Sequence, residues 1–278
     1  MRTSLNTATT RGKPLDDDIR LCGEVGFDGI EIDTGKLDEY ADAGGTIAEL
    51  HDLLRASGVR CVGLMAFAFR PFSDPEEELE RIRRYAPVCR DLGGTMLLAY
   101  IAEQPDPGVP HSEAVERAAW TATTYAETAH EFGLQIALEP IGGREFMGGP
   151  DDALAIINAA GHPALGIMVD TFHYHKSGVP PERVAELPAE QILIVHVNDA
   201  ENLPTPELTD GHRLYPGEGI LPLHGYLDAL EQAGYDGYLS VEIFREQYWL
   251  DDHHSIIRNA KTALDGVLGE RDRPGDRS

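Results

Sequence analysis

The sequence predicts a single-domain (β/α)8 TIM barrel, and a few observations carry that prediction. Short β-branched or apolar runs alternate with longer segments of helical spacing, the pattern of successive βα units. Eight such units recur at roughly 30–35 residues each, as a barrel of this size requires. The main competitor is a doubly wound open sheet, which usually places a glycine-rich phosphate turn after its first strand. "SLNTATTRGKP" contains no such turn.

The units follow in order. "SLNTA" from Ser4 is the first strand and leads into the amphipathic "LDDDIRLCGEVG". "GIEIDT" from Gly29 is the second, followed by "TIAELHDLLRASG", which opens on Thr46 and closes on Gly58 as helices do. "RCVGLMAF" from Arg60 precedes the acidic-start helix "DPEEELERIRRYAPVCRDLGG", and "TMLLAYI" from Thr95 precedes "HSEAVERAAWTATTYAETAHEFG". The fifth to eighth strands are "LQIALEPI" from Leu134, "LGIMVDTF" from Leu165, "ILIVHVND" from Ile192 and "YLSVEIF" from Tyr238. Their helices are "GPDDALAIINAAG", "PPERVAELP", "LPLHGYLDALEQAG" and "HHSIIRNAKTALDGVLG". No linker divides two composition regimes, so the barrel is expected over residues 1–268. The charged "GERDRPGDRS" is expected to be a flexible tail over 269–278.

Charge and composition exclude several functions. With a formal net charge of −25 the chain would repel phosphate over most of its surface, which argues against a nucleic-acid partner. No apolar run reaches membrane-spanning length, and the N-terminus lacks the apolar stretch of a secretory signal, so no membrane role is expected. Cys22, Cys61 and Cys89 show no CxxC spacing and are expected to be packed, reduced thiols of a cytoplasmic protein.

Chemistry in such a barrel sits at the C-terminal ends of the strands. There the fifth strand places Glu139, the sixth Asp170 and His173, the seventh His196 and Asp199, and the eighth Glu242 and Arg245. Alternation sets Gln135, Ala137 and Glu139 on one face, Gly166, Met168 and Asp170 on another, and Ser240 with Glu242 on a third. The opposite, β-branched faces suit packing against helices. A ring of inward carboxylates is costly unless a cation neutralises it. One such acid is most often a cap or a solvated loop residue. Glu139, Asp170, His196 and Glu242 on consecutive strands point instead to one divalent metal ion. Oxygen-rich ligation with a single imidazole favours Mn²⁺, Mg²⁺ or Co²⁺, Mn²⁺ foremost, and an open site also accepts Zn²⁺.

At these residues the chain resembles the xylose isomerase-like barrel family of sugar phosphate isomerases and epimerases, and within it the inosose (2-keto-myo-inositol) isomerases. The likeness is most specific in "LEPIG", "VDTFHYH", "IVHVNDAENLP", "LTDGHRLYPGEG" and "VEIFREQYW". It implies metal ligation by Glu139, Asp170, His196 and Glu242, and substrate contact by His173 and Arg213. Asn202 stands in the region where ketose 3-epimerases carry an arginine, which lowers the odds of that activity.

A metal-supported enediolate would let Glu139 and Glu242 act as base and acid, with Asp170 and His196 mainly holding the ion. His173 is expected to donate to the developing oxyanion, against a simple backbone contact as the alternative. Arg213 is expected to close over the substrate, against a surface ion pair. Arg245 is expected to orient Glu242, and His212 to face solvent. His51 and His224 are read as ordinary helical positions, and His175 has no assigned role. Tyr248 and Trp249 are candidates for a pocket wall or for an interface between copies in a homo-oligomer. The expected partner is a small sugar or cyclitol. A metal-dependent lyase, such as an inosose dehydratase or a C-glycoside-deglycosylating subunit, is the competing reading. An AP endonuclease on this barrel would need more histidine ligands and a basic groove.

Overall fold

The computed structural model describes residues 1–271; residues 272–278 of the expected tail lie outside the described residues. The barrel strands are β1 Arg2–Asn6, β2 Gly29–Asp33, β3 Arg60–Phe69, β4 Met96–Ile101, β5 Gln135–Glu139, β6 Leu165–Asp170, β7 Ile192–Val197 and β8 Tyr238–Val241, and outside the barrel Asp199–Ala200 pairs antiparallel with Arg213–Leu214. Each barrel strand lies parallel to its sequence neighbour, and β8 closes the barrel on β1 from the pair Arg2–Tyr238 to the pair Leu5–Val241. The fold is the predicted (β/α)8 barrel.

Several strands stop earlier than their apolar runs suggest, each for a local reason. Asn6 ends β1 because its side-chain oxygen accepts the Ala8 N–H and starts a 3-10 turn over Thr7–Thr10. Pro140 follows Glu139 and has no N–H for a ladder. Beyond β8 the Ile243 N–H turns to the Thr9 hydroxyl at 3.0 Å. Asp170 ends β6 by capping a helix.

The helices are α1 Leu15–Val25, α2 Thr34–Asp42, α3 Ile47–Ser57, α4 Glu76–Asp91, α5 His111–His130, α6 Pro150–Ala160, α7 Thr171–Lys176, α8 Pro181–Ala185, α9 Leu223–Ala233, α10 Glu246–Trp249 and α11 His253–Arg271. The sequence reading did not foresee α2, α7 or α10. Asp33 caps α2 and Asp170 caps α7, so both caps sit in residues that read as strand. The last helix continues through residues 269–271, past the expected boundary at 268.

The core has two parts. Outward-facing strand residues such as Leu5, Ile32, Leu64, Leu138, Val169 and Val241 pack under the helices. Inside the barrel Val62, Met96, Leu98, Ala137, Met168, Ile194 and Tyr238 form a separate apolar plug. Two residues further along the same faces come Glu139 above Ala137, Asp170 above Met168 and His196 above Ile194. The apolar plug is therefore the floor on which the polar cluster stands. No helix among the described residues is long and apolar enough to cross a membrane.

Candidate metal centre

Glu139, Asp170, His196 and Glu242 converge at the C-terminal mouth, each offering a ligand atom within 4.8 Å of the others. Ligands around one cation with bonds of about 2.0–2.6 Å can have that spread. The strands deliver three of the side chains at their last turns, and Glu242 follows the final residue of β8. All four are buried, at 9% exposure or less.

Asp170 divides its carboxylate between two tasks. Its Oδ1 accepts the N–H groups of Phe172 at 2.8 Å and His173 at 3.0 Å, which starts α7. Its Oδ2 faces the cluster, 3.6 Å from His196 Nδ1 and 2.7 Å from Arg213. His196 is oriented from behind: its Nε2 lies 3.1 Å from the Glu31 carboxylate on β2. With that nitrogen donating to Glu31, Nδ1 turns its lone pair to the cluster. Nδ1 lies 3.1 Å from Glu242 Oε2 and 3.7 Å from Glu139 Oε1. Neither His196 Nδ1 nor Glu139 Oε1 makes a hydrogen bond, although both are buried. Two orphaned ligand-type atoms facing each other in a buried acidic cluster fit a cation that would satisfy both.

The electrostatics of the protein alone agree. Burial pushes the Glu139 carboxyl up to about 7, with His196 opposing and Glu242 and Asp170 reinforcing the shift. Burial also disfavours the Asp170 charge, but Arg213, His173 and His196 outweigh it and hold that carboxyl well below the usual range. Burial works against a charged His196, yet Glu242 and Glu31 raise it well above the ordinary imidazole. His173 is lowered by burial, with the adjacent Arg213 contributing.

Arg213 is not the mobile surface arginine that its loop suggests, since it is 1% exposed. It reaches Asp170 at 2.7 Å, Glu242 at 3.2 Å and Asp210 at 3.0 Å, and its NH2 group lies 3.0 Å from His173 Nε2. A guanidinium can only donate, so His173 Nε2 accepts and its proton sits on Nδ1. His173 itself belongs to the first turn of α7 and not to a strand, with Nε2 3.9 Å from Glu139. Gly142 makes this possible: a Cβ there would lie 2.4 Å from the His173 carbonyl oxygen, so the loop after β5 can close onto α7 only without a side chain.

Of the other residues, Arg245 and His212 depart from expectation. Arg245 does not orient Glu242; it pairs with Glu201 at 2.6 Å and donates to the Gly211 carbonyl. Asp199 organises a loop, accepting from the backbone of Ala200, Gly217 and Leu221. His212 is half-buried, and its Nδ1 caps the turn at Thr209. His175 is half-buried. Tyr248 stacks on Tyr215 at 4.4 Å, and Trp249 walls the pocket while donating to the Ala8 carbonyl. Glu31 and Asn198 were missed by the sequence reading. Asn198 Nδ2 lies 3.3 Å from Asp170 Oδ2 and 3.4 Å from the Glu242 carbonyl.

The cluster forms the base of a cavity of about 1040 Å³. Met65, Phe67, Leu98, Phe244 and Trp249 give it an apolar wall, while Arg11, Asp33, Glu201, Arg213 and Arg245 supply polar groups. That is the upper size range of small-molecule sites.

Known proteins place this architecture. The chain is 30% identical to the inosose isomerase of Bacillus velezensis, over 97% of this chain and 98% of that protein. It is 26% identical to the 3-dehydroshikimate dehydratase of Pseudomonas putida over 89% of this chain, but that match spans only 39% of the dehydratase. The solved structure of IolI protein with a binding zinc atom superposes with a TM-score of 0.89 at 27% identity, covering 97% of this chain and 99% of that one. Residues 19–266 match the model of the xylose isomerase-like TIM barrel, and the chain belongs to that family.

Proposed function

We propose that the protein is a divalent-metal-dependent isomerase or epimerase of an α-hydroxyketone, a sugar or a keto-inositol, that works through an enediolate. The observation that carries this reading is the convergence of Glu139, Asp170, His196 and Glu242 at the base of a small-molecule cavity. The inosose isomerase relatives support the substrate class, and the zinc named with IolI supports a cation-binding barrel. We assign the native ion as Mn²⁺ on the oxygen-rich donor set, with Mg²⁺, Co²⁺ and Zn²⁺ as alternatives. A cytoplasmic site of action accords with the buried free thiols of Cys22, Cys61 and Cys89.

Those four residues would hold the ion, which when bound supplies Lewis-acid charge toward the substrate's adjacent oxygens. Glu139 and Glu242 enter from β5 and β8, the two ends of the ligand arc, and are assigned as the proton-transfer pair. One removes the C–H proton and the other returns it. Return to the neighbouring carbon, with the hydroxyl proton passing to the former carbonyl oxygen, gives isomerisation, and return to the opposite face of the same carbon gives epimerisation. Without the ion, burial lifts the Glu139 carboxyl toward 7; a bound cation would keep it ionised, the form a base requires. Because His173 Nε2 accepts from Arg213, the donor His173 offers a developing oxyanion is its Nδ1–H, which has no partner in the protein, and Arg213 holds the ring in place.

A lyase is the second reading, favoured by the dehydratase relative: the same C–H removal followed by loss of a β-hydroxyl. NMR of metal-loaded protein with 2-keto-inositols and hexuloses separates the two. A rearranged product of unchanged mass supports isomerase or epimerase, and a dehydrated product supports lyase. Failure to convert any α-hydroxyketone, in protein that demonstrably binds Mn²⁺ or Zn²⁺, would sink the enediolate reading.

A further inference from the structure

Four guanidinium groups line the cavity, those of Arg11, Arg81, Arg213 and Arg245. Three are committed. Arg213 serves Asp170, Glu242 and Asp210, Arg245 serves Glu201, and Arg81 donates twice to the Ala66 carbonyl at 2.8 and 3.0 Å. The Arg11 side chain has no carboxylate or carbonyl partner among the described residues. Its guanidinium lies instead over the rings of Trp249 at 5.0 Å and Phe244 at 5.3 Å. In a chain of net charge −25, an arginine left without an acid beside the active-site cavity stands out.

The backbone that carries this exposed side chain is held from several sides. The Thr9 hydroxyl donates to the Val241 carbonyl and accepts from Ile243 N–H, both at 3.0 Å. Trp249 donates to Ala8 O at 3.1 Å, and Lys13 donates to Asp251 O at 2.9 Å. Gly12, at φ +77°, supplies the left-handed turn immediately after Arg11. The segment carrying Arg11 is thus strapped to the segment carrying Glu242. Phe244 also carries Arg213 on its ring, at 5.5 Å, so Arg11 lies one phenyl ring away from the guanidinium that touches the ligand cluster. That is a separation an extended sugar chain can cover. A planar guanidinium stacked on aromatic faces keeps its N–H fork free for a carboxylate or phosphate.

We propose that Arg11 is a substrate-recognition residue that selects an α-hydroxyketone carrying a terminal oxyanion, a phosphate or a carboxylate. This rests on the reading that the reacting carbons sit at the Glu139–Asp170–His196–Glu242 cluster. The charged end then meets Arg11, which neutral ketols leave without a partner.

The test is calorimetric titration of the metal-loaded full chain with a neutral hexulose, its 6-phosphate and a hexuronate, in wild type, Arg11→Met and Arg11→Lys. Met keeps the apolar stem on Phe244 and Trp249. The wild type should prefer one oxyanion ligand over the neutral sugar by about ten-fold or more, and Arg11→Met should erase that ratio. Arg11→Lys should restore part of it, and the phosphate and hexuronate arms tell which oxyanion is read. Equal affinity for charged and neutral ligands in the wild type, or a preference that survives Arg11→Met, overturns the proposal. The ratio separates recognition from a general loss of fold. Absence of turnover with every ketol would defeat the isomerase reading alone, while the titration still decides the role of Arg11.

Discussion

Glu139 is the residue on which the proposed chemistry depends most. It combines a buried, unpartnered Oε1 with a carboxyl pushed up to about 7. Glu139→Gln keeps the shape and removes the base, so kcat should fall by about 10²–10⁴-fold in steady-state assays of metal-loaded protein. Normal rates would refute the assignment. Glu31 acts one step further back, by fixing the ring of His196. Glu31→Gln should weaken metal affinity by about 10–100-fold, measured by competition with a chelator. The catalytic-face acids were legible in the sequence because strand ends expose them one per strand. Glu31 was not, because a lone acid inside "GIEID" gives no sign that it meets a histidine 165 positions away. The partner of Arg245 was hidden for the same reason: ion pairs between loops depend on how the loops fold back.

At the level of elements, the alternation of strands and helices was readable because burial on two faces imposes different periods. The boundaries were not, because side chains such as Asp33 and Asp170 end a strand by capping the helix that follows. The short α7 helix is the functional consequence, since it sets His173 against Arg213 and packs under Gly142. Gly142→Ala would force the loop after β5 away from α7. We expect a loss of about 1–3 kcal/mol in denaturant unfolding. A fall in kcat should accompany it, beyond what partial unfolding explains. Unchanged stability and rate would show that α7 tolerates the displacement.

For the whole molecule, the barrel concentrates charge that its floor cannot solvate. Three acids stand on an apolar plug, countered within the protein by Arg213 and His196. Ion binding requires Glu139 to be ionised and His196 Nδ1 to be unprotonated. Both groups are shifted upward, so each holds a proton to higher pH than normal. Metal affinity should therefore strengthen as pH rises through about 7 and weaken as it falls, with protons released on binding. Calorimetry in buffers of different ionisation enthalpy reads that release directly. On the proposed reading the ion binds the folded chain, so stripping it should lower Tm, and adding back Mn²⁺ should restore it in a concentration-dependent way.

The central claim is that this cluster removes a proton from carbon next to a ketone. It is tested most directly by incubating metal-loaded wild type with a 2-keto-inositol in D₂O and watching the α-carbon signal by NMR. The account predicts that deuterium replaces the α-hydrogen, and that replacement stops both on metal removal and in Glu139→Gln. Retention of the α-hydrogen throughout any turnover, or exchange that persists in Glu139→Gln, would contradict it.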